Sequence, residues 1–259
     1  MDTEKTAPFE LGEGADACLL LHGFTGSPWD LRLLGESLAA RGMRVVAPRL
    51  AGHGTTPEAL AAVDGWAWQR GAEQALADLG SARRVFVAGL SMGALLGVQL
   101  AARFPHRVHA LGLIAPALRF RGPKMTLLRA LRKTRALERA LPWIAKDSTD
   151  LEDDATRAEA PILRAIPSAR LNDLFRLQDR AAQELGHVRC ATFIAVATHD
   201  HVVDPHGGRV MASRLTRAST VRLLEIDRGF HIIPRDRAAG LLAEELGTFF
   251  ERAAGRRMA

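Results

Sequence analysis

Short apolar runs and longer amphipathic stretches alternate along most of the chain, and their order predicts its architecture. The apolar runs, five to seven residues long, predict six strands near residues 17–21, 43–47, 84–88, 108–114, 192–197 and 221–226. Helical spacing of apolar positions separates most of these strands, and residues 7–12 are expected to add an edge strand. Alternating strands and helices predict an α/β fold, with a mostly parallel central sheet flanked by helices.

The alternation stops after Pro116. For about seventy residues only helical signals occur, until the strand near 192–197 begins. We therefore expect a helical lid, about residues 117–187, inserted between the strand near 108–114 and the strand near 192–197. The length of 259 residues fits a single domain over residues 1–259 that carries this insertion.

A glycine-flanked serine lies at the end of one predicted strand. The pentapeptide Gly89-Leu90-Ser91-Met92-Gly93 follows the apolar run near 84–88 and precedes a helix of small residues. A G-x-S-x-G sequence at a strand-to-helix turn is typical of a nucleophile elbow, which exposes the serine hydroxyl at the sheet edge. A side chain at either glycine would collide with the neighbouring strand or helix, so the sequence predicts Ser91 as a nucleophile.

A serine nucleophile requires a base, and the base requires a third group that orients it. In elbow proteins the acid and then the histidine follow the serine along the chain. Asp200 comes at the carboxyl end of the strand near 192–197, and His231 comes in the loop after the strand near 221–226. Because the carboxyl ends of parallel strands open into one crevice, the sequence predicts a triad of Ser91, Asp200 and His231.

Other residues near Asp200 offer alternatives. Asp204 is the weaker candidate for the acid, because a proline follows it and is expected to begin a helix. His199 and His201, together with the two carboxylates, also suggest a metal-binding cluster. That interpretation is disfavoured, because Val203 occupies the aspartate position of an H-x-H-x-D-H metal motif. We expect no metal and no cofactor.

Acyl transfer also requires N–H donors for the oxyanion of the transition state. The residue after the nucleophile usually supplies one of them, and here that residue is Met92. The strand near 17–21 runs into the turn His22-Gly23-Phe24-Thr25-Gly26, whose amides can point into the crevice. The backbone amides of Phe24 and Met92 are therefore the predicted oxyanion hole.

Taken together, these motifs resemble those of an α/β-hydrolase, in particular of the bacterial carboxylesterase and monoacylglycerol lipase group. The resemblance covers nearly the whole chain and rests on residues 19–26, 49–54, 89–93, 197–205 and 229–231. It implies the α/β-hydrolase fold, the same triad and oxyanion hole, and cofactor-free hydrolysis of carboxylic esters. One departure is Phe230 before the histidine, where such enzymes often have Gly or Ser; it should alter the local shape without removing the base.

Several activities use the same catalytic residues. The main expectation is a carboxylesterase or monoacylglycerol lipase-like enzyme that cleaves a small-molecule acyl ester through an acyl-enzyme intermediate. A thioesterase, a carbon–carbon bond hydrolase and a homologue that binds a small ligand without turnover remain alternatives. The segment that would distinguish them is the predicted lid.

The first part of that lid is strongly basic. Residues 119–146 contain nine Lys or Arg residues and one acid, Glu138. Apolar residues recur there at helical spacing and predict an amphipathic helix whose apolar face roofs an acyl pocket. They are Leu127, Leu128, Leu131, Leu137, Leu141 and Ile144. The basic face is interpreted in the first place as a solvated surface, with transient contact to anionic lipid as the alternative.

The formal net charge of +6 raises the question of nucleic-acid binding. No helix-turn-helix or zinc-finger pattern accompanies the charge, and tyrosine is absent, so we expect no nucleic-acid partner. The first residues lack a basic segment followed by an apolar one, and no run of about eighteen apolar residues occurs. These features favour a cytoplasmic protein and leave its oligomeric state open.

Overall fold

The computed structural model describes residues 2–131 and 136–255, with residues 136 and 137 described by their backbone alone. The strands are β1 (Phe9–Leu11), β2 (Asp16–Leu21), β3 (Arg44–Ala47), β4 (Arg84–Leu90), β5 (Val108–Ile114), β6 (Trp143–Ala145), β7 (Ala165–Pro167), β8 (Ala191–Ala197) and β9 (Val221–Ile226). The helices are α1 (Arg32–Ala40), α2 (Pro57–Ala61), α3 (Gly65–Asp78), α4 (Met92–Arg103), α5 (Pro123–Leu131), α6 (Ala136–Ala140), α7 (Asp154–Glu159), α8 (Ser168–Glu184), α9 (His206–Arg214) and α10 (Ala239–Ala253).

Seven strands form one twisted layer in the order β1-β3-β2-β4-β5-β8-β9. Neighbouring strands are parallel, except that β1 runs antiparallel to β3. All residues of β2 and nearly all of β4 are buried, as expected for a parallel sheet that helices cover on both faces. The six predicted strands and the predicted edge strand are confirmed to within two residues at each end.

The topology brings three chain segments to one edge of this sheet. The carboxyl ends of β4, β8 and β9 lie together, and each is followed by one of the predicted catalytic residues. Helix α4 begins directly after β4 and packs against β4 and β5 with most of its length buried. The buried helix therefore fixes the position of the elbow at its amino end.

Residues 115–190, between the paired strands β5 and β8, form the insertion. The insertion contains α5 to α8, and it also contains a small antiparallel sheet of β6 and β7 that the helical signals of the sequence did not predict. Each of these strands has three residues, too few for an alternating pattern to stand out from the helical signals around it.

The amphipathic helix predicted over residues 119–146 does not extend over that whole segment, since residues 119–122 precede α5 and β6 occupies Trp143–Ala145. Leu128 is buried, whereas Leu127, Leu131 and Leu141 are exposed. Helix α8, which packs against α4, contributes to the apolar cover beside Leu128 and Ile144. Its buried apolar residues are Leu171, Leu174, Phe175, Leu177 and Ala181.

Part of that prediction falls outside the described side chains, which do not include those of Arg132, Lys133, Arg135 and Leu137. Among the helices of residues 2–131 and 136–255, each is too short or too polar to cross a lipid bilayer.

Candidate active site

Ser91 lies on a strained turn between β4 and α4. Its backbone has φ 55° and ψ −107°, a region that non-glycine residues rarely adopt, and its N–H donates to the carbonyl of Ile114 over 2.9 Å. A Cβ added to Gly89 would lie 2.1 Å from the carbonyl oxygen of Gly93, and one added to Gly93 would lie 1.9 Å from that of Leu21. The sharp turn that exposes the hydroxyl is therefore possible only with glycine on both sides.

Asp200 and His231 are brought together from the ends of β8 and β9. The imidazole Nδ1 lies 2.7 Å from Oδ2 of Asp200, which is almost fully buried. The other carboxylate oxygen, Oδ1, accepts the N–H groups of Val202 and Val203 over 2.7 and 2.8 Å. These two donors fix the carboxylate, so that Oδ2 accepts a proton held on Nδ1 and leaves Nε2 available as a base.

Ser91 and His231 line the same cavity, whose volume is about 450 Å³. Among the hydrogen bonds of the described residues, none joins Ser91 Oγ to the imidazole. Such a bond is commonly long in an unliganded enzyme and forms when the substrate is bound. The structure therefore orients the imidazole of His231 through Asp200, and a hydrogen bond from Ser91 Oγ to Nε2 remains a prediction.

The turn after β2 lies directly against Ser91, the predicted nucleophile, since a Cβ on Gly23 would be 3.4 Å from the Cβ of Ser91. Phe24 lines the cavity, and Met92 is the first residue of α4, where backbone N–H groups have no partner within the helix. In residues 2–131 and 136–255, the amides of Phe24 and Met92 donate to no protein acceptor. Two unpaired donors beside a serine are what an oxyanion hole requires.

His22 holds this turn in shape. Its Nδ1 lies 2.9 Å from the carbonyl oxygen of Gly23, and its Nε2 accepts the N–H of Leu50 over 3.1 Å. Both bonds are made by the neutral ring with its proton on Nδ1, and burial lowers the pKa of His22 to about 4. Residues 19–26, which include His22, were part of the sequence motifs described above, but those motifs did not indicate this structural role of His22.

Two carboxylates that sequence reasoning missed hold the loop carrying His231. Oδ2 of Asp150, in the insertion, accepts the N–H groups of His231 and His201 over 3.1 and 3.0 Å. Buried Asp236 accepts four backbone N–H groups, among them those of Phe230 and Glu152, each over 2.8 Å. Residues 150 and 231 are 81 positions apart, so no local pattern could have indicated the contact.

The alternatives near Asp200 have other partners. Asp204 pairs with Arg119 at 3.3 Å rather than with the base. Nδ1 of His201 lies 2.8 Å from Oδ1 of Asp150. The ring of Phe230, the departure from the family pattern, packs edge-on against His201 with centroids 4.4 Å apart, and is not part of the cavity wall.

Comparison with known proteins shows the family of this chain. The model of a hydrolase family described as serine aminopeptidase, S33, matches residues 12–238. The chain belongs to this family. A thermostable monoacylglycerol lipase of Bacillus sp. (strain H-257) is 28% identical over 249 residues, which cover 96% of this chain and 95% of the lipase. A carboxylesterase of Bacillus subtilis (strain 168) is 24% identical over 250 residues, 95% of this chain and 96% of the esterase.

Solved structures show the same fold. One from work on LipS and LipT, two metagenome-derived lipolytic enzymes, superposes with a TM-score of 0.88 at 28% identity, covering 96% of this hydrolase and 98% of that chain. The monoacylglycerol lipase of Paleococcus ferrophilus superposes with a TM-score of 0.77 at 19% identity, covering 93% and 98%. The predicted α/β-hydrolase fold and an ester-hydrolysing enzyme of the carboxylesterase and monoacylglycerol lipase group are confirmed.

Proposed function

We propose that this hydrolase cleaves carboxylic esters with Ser91 as nucleophile, His231 as base and Asp200 as the group that orients it. The observation that carries the proposal is that His231, bonded to Asp200 at 2.7 Å, lines the same cavity as Ser91 on its strained turn. The amides of Phe24 and Met92 then stabilise the oxyanion.

The reaction runs in two halves. Nε2 of His231 removes the hydroxyl proton of Ser91 as Oγ attacks the ester carbonyl, and the carbonyl oxygen gains negative charge opposite the two amides. The intermediate collapses when the imidazolium returns that proton to the leaving alcohol, which gives the acyl-enzyme. Water, deprotonated by the same imidazole, then attacks the acyl carbonyl. The imidazolium returns that proton to Oγ of Ser91 as the acyl–Oγ bond breaks, which releases the acid and restores the serine.

The lining of the cavity favours a substrate with an apolar acyl group. Most of the lining surface is apolar, and the insertion supplies much of it through Met125, Leu128, Ile144, Leu171 and Leu174. Burial of a chain against these side chains contributes about 0.8 kcal/mol per CH₂ group. A series of p-nitrophenyl esters of increasing chain length, run beside monoacylglycerols and acyl-CoA, separates esterase from thioesterase activity.

Ser91→Ala tests the assignment. We expect it to abolish turnover of p-nitrophenyl butyrate and labelling by a fluorophosphonate probe, because no nucleophile remains. Ser148→Ala is the matched control, since Ser148 lines the same cavity at a site without a partner base, and it should keep both signals. More than a few per cent of wild-type turnover in Ser91→Ala contradicts the proposal, and a single burst of acylation without turnover in the wild type favours a ligand-binding homologue.

We further propose that the insertion makes transient contact with lipid surfaces. Leu127, Leu141 and Trp143 expose 60%, 45% and 40% of their surface, and the same segment carries an excess of basic residues. Exposed apolar side chains next to basic ones suit an anionic membrane. Sedimentation with phosphatidylglycerol vesicles should exceed that with phosphatidylcholine vesicles and fall in Leu127→Ser/Trp143→Ser. Equal sedimentation in all samples contradicts lipid contact and leaves a solvated surface.

A further inference from the structure

Thr25 has an unusual backbone conformation in the turn that carries Phe24, the predicted oxyanion donor. The N–H of Gly26 donates to the carbonyl of Gly23 over 3.1 Å, which closes a four-residue turn with Phe24 and Thr25 at its centre. The φ of Thr25 is 63°, whereas that of Phe24 is not positive. This combination is that of a type II turn, whose third position normally requires Gly or Asn. A β-branched residue there is strained, so the surrounding structure must hold the turn in this form.

Lys146 contacts this turn from the insertion. It follows β6 directly, and its Nζ donates to Oγ1 of Thr25 over 2.7 Å. The backbone N–H of Lys146 donates to the carbonyl of Arg164 over 3.0 Å and extends the pairing of β6 with β7. Thr25 is almost fully buried, which strengthens its hydrogen bond to the ammonium. The small sheet of the insertion is thus connected to the turn that carries Phe24.

Asp30 favours the charged form of this lysine. Its carboxylate is only 6% exposed, and Oδ2 accepts the N–H of Ser27, directly after the turn, over 3.2 Å. Burial raises the pKa of Asp30 to about 6, against the opposing effect of the Lys146 charge. Burial also lowers the pKa of Lys146, and the charge of Asp30 opposes that change.

Other charged side chains of the cavity wall have different partners. Arg121 donates from Nη1 to the carbonyl of Asp200 over 2.8 Å. Asp150 accepts backbone N–H groups from the loops at residues 201 and 231. Lys124 is exposed. Among the described residues that line the cavity, the cation that contacts the turn is therefore Lys146.

We propose that Lys146 is a positioning residue, whose hydrogen bond to Thr25 holds the turn that presents the Phe24 amide to the oxyanion. The inference rests on the proposed function. Without this bond, Thr25 can return to a negative φ by rotation of the peptide between Phe24 and Thr25, which converts the type II turn into type I. The turn then changes shape beside Phe24, and a displacement of a catalytic group by about 1 Å can lower the rate 100-fold.

The test measures whether Lys146 acts through Thr25. We expect Lys146→Met to lower kcat/KM for p-nitrophenyl butyrate by about 10- to 100-fold. Thr25→Val removes Oγ1 at nearly constant volume and should cause a similar loss. The double variant Lys146→Met/Thr25→Val should match either single variant to within about threefold, because both changes break the same bond.

Two further readouts separate positioning from a general loss of structure. A butyl trifluoromethyl ketone adds to the serine and places an oxyanion in the hole, so its Ki should rise by about the factor by which kcat/KM falls. Thr25→Gly should keep activity and should make Lys146→Met nearly harmless, with a loss below about threefold, because glycine adopts a positive φ without an anchor. A destabilised fold would not be rescued by glycine at residue 25.

Lys124→Met is the matched control, because Lys124 lines the same cavity but donates no hydrogen bond to Thr25 among the described residues. Its effect should multiply with that of Thr25→Val. If the losses of Lys146→Met and Thr25→Val also multiply, or if Lys146→Met costs as much in the Thr25→Gly background as in the wild type, the positioning role is overturned.

If Lys146→Met fails to fold, the comparison of Thr25→Val with Thr25→Gly decides. The positioning role requires a loss in Thr25→Val and retained activity in Thr25→Gly, and equal activities overturn it. A wild type that does not cleave p-nitrophenyl butyrate overturns the proposed function itself.

Discussion

Replacement of Asp200 by asparagine tests the orientation of the base. Oδ1 of Asp200 accepts the N–H groups of Val202 and Val203, so the amide oxygen of Asp200→Asn must take that place. The NH₂ group is then forced towards Nδ1 of His231 and donates to it. The imidazole must carry its own proton on Nε2, where it cannot accept the proton of Ser91.

The size of the effect follows from that change of tautomer. The same replacement in a serine-protease triad lowers kcat by about 10⁴, which corresponds to about 5.5 kcal/mol in the barrier. Folding should change little, about 1 kcal/mol, because Asp200→Asn keeps both backbone hydrogen bonds of Asp200. The loss is thus expected in turnover and not in stability.

The assay is kcat/KM on p-nitrophenyl butyrate, beside thermal unfolding of the same samples. Asp204→Asn is the control, because Asp204 forms a partly exposed ion pair with Arg119, and its effect should stay within about threefold. If Asp200→Asn keeps more than about one per cent of wild-type activity, or if Asp204→Asn loses as much as Asp200→Asn, the assignment of the acid is refuted.

Three further predictions concern the parts that surround the triad. The pKa of His22, about 4 in the folded protein against 6.5 ordinarily, means that its contribution to stability is complete above pH 6.5 and is lost as the pH falls towards 4. Urea unfolding should lose about 2 kcal/mol or more between pH 7 and 4.5, and an NMR titration of His22 above pH 6 would contradict this. Gly93→Ala should cost more than about 3 kcal/mol, because its Cβ would lie 1.9 Å from the carbonyl of Leu21, whereas Gly240→Ala, with nothing within 4 Å, should stabilise by about 0.5 kcal/mol in chemical unfolding. Asp150→Ala should lower kcat by at least about tenfold on any ester, with a smaller loss in Asp150→Asn, which keeps an acceptor oxygen; equal losses in both variants would show that the charge matters more than the hydrogen bonds.

Local sequence patterns were sufficient for the sheet and for the residues at its edge. Apolar runs located the strands because a parallel strand is buried on both faces, and the positions after β4, β8 and β9 then located Ser91, Asp200 and His231. The glycines of the elbow were also interpretable, because the turn leaves no space for a Cβ.

The insertion could not be predicted in the same way. Its small sheet is too short to show a period, and α8 contributes to its buried face beside the basic segment. Asp150 and Lys146 reach the site over separations of 81 and 121 residues, and a lone aspartate or lysine among many charged residues has no distinguishing pattern. Such contacts depend on how the folded segments pack, which single-sequence periodicity does not report.

The contacts of Asp150 and Asp236 with the His231 loop restrict which parts of the insertion can be exchanged to change substrate preference. Asp150 belongs to the insertion, yet it accepts the backbone N–H of His231, the proposed base, and Asp236 connects the same loop to residues 152 and 153. A chimera that receives the whole of residues 115–190 from a relative would exchange the walls of the cavity. It would also replace Asp150, the carboxylate that accepts the backbone N–H of His231. Grafts confined to residues 122–145 leave the contacts of His231, the proposed base, and those of Arg119 and Arg121 with residues 200–204 in place, so that stretch is where diversification is least costly.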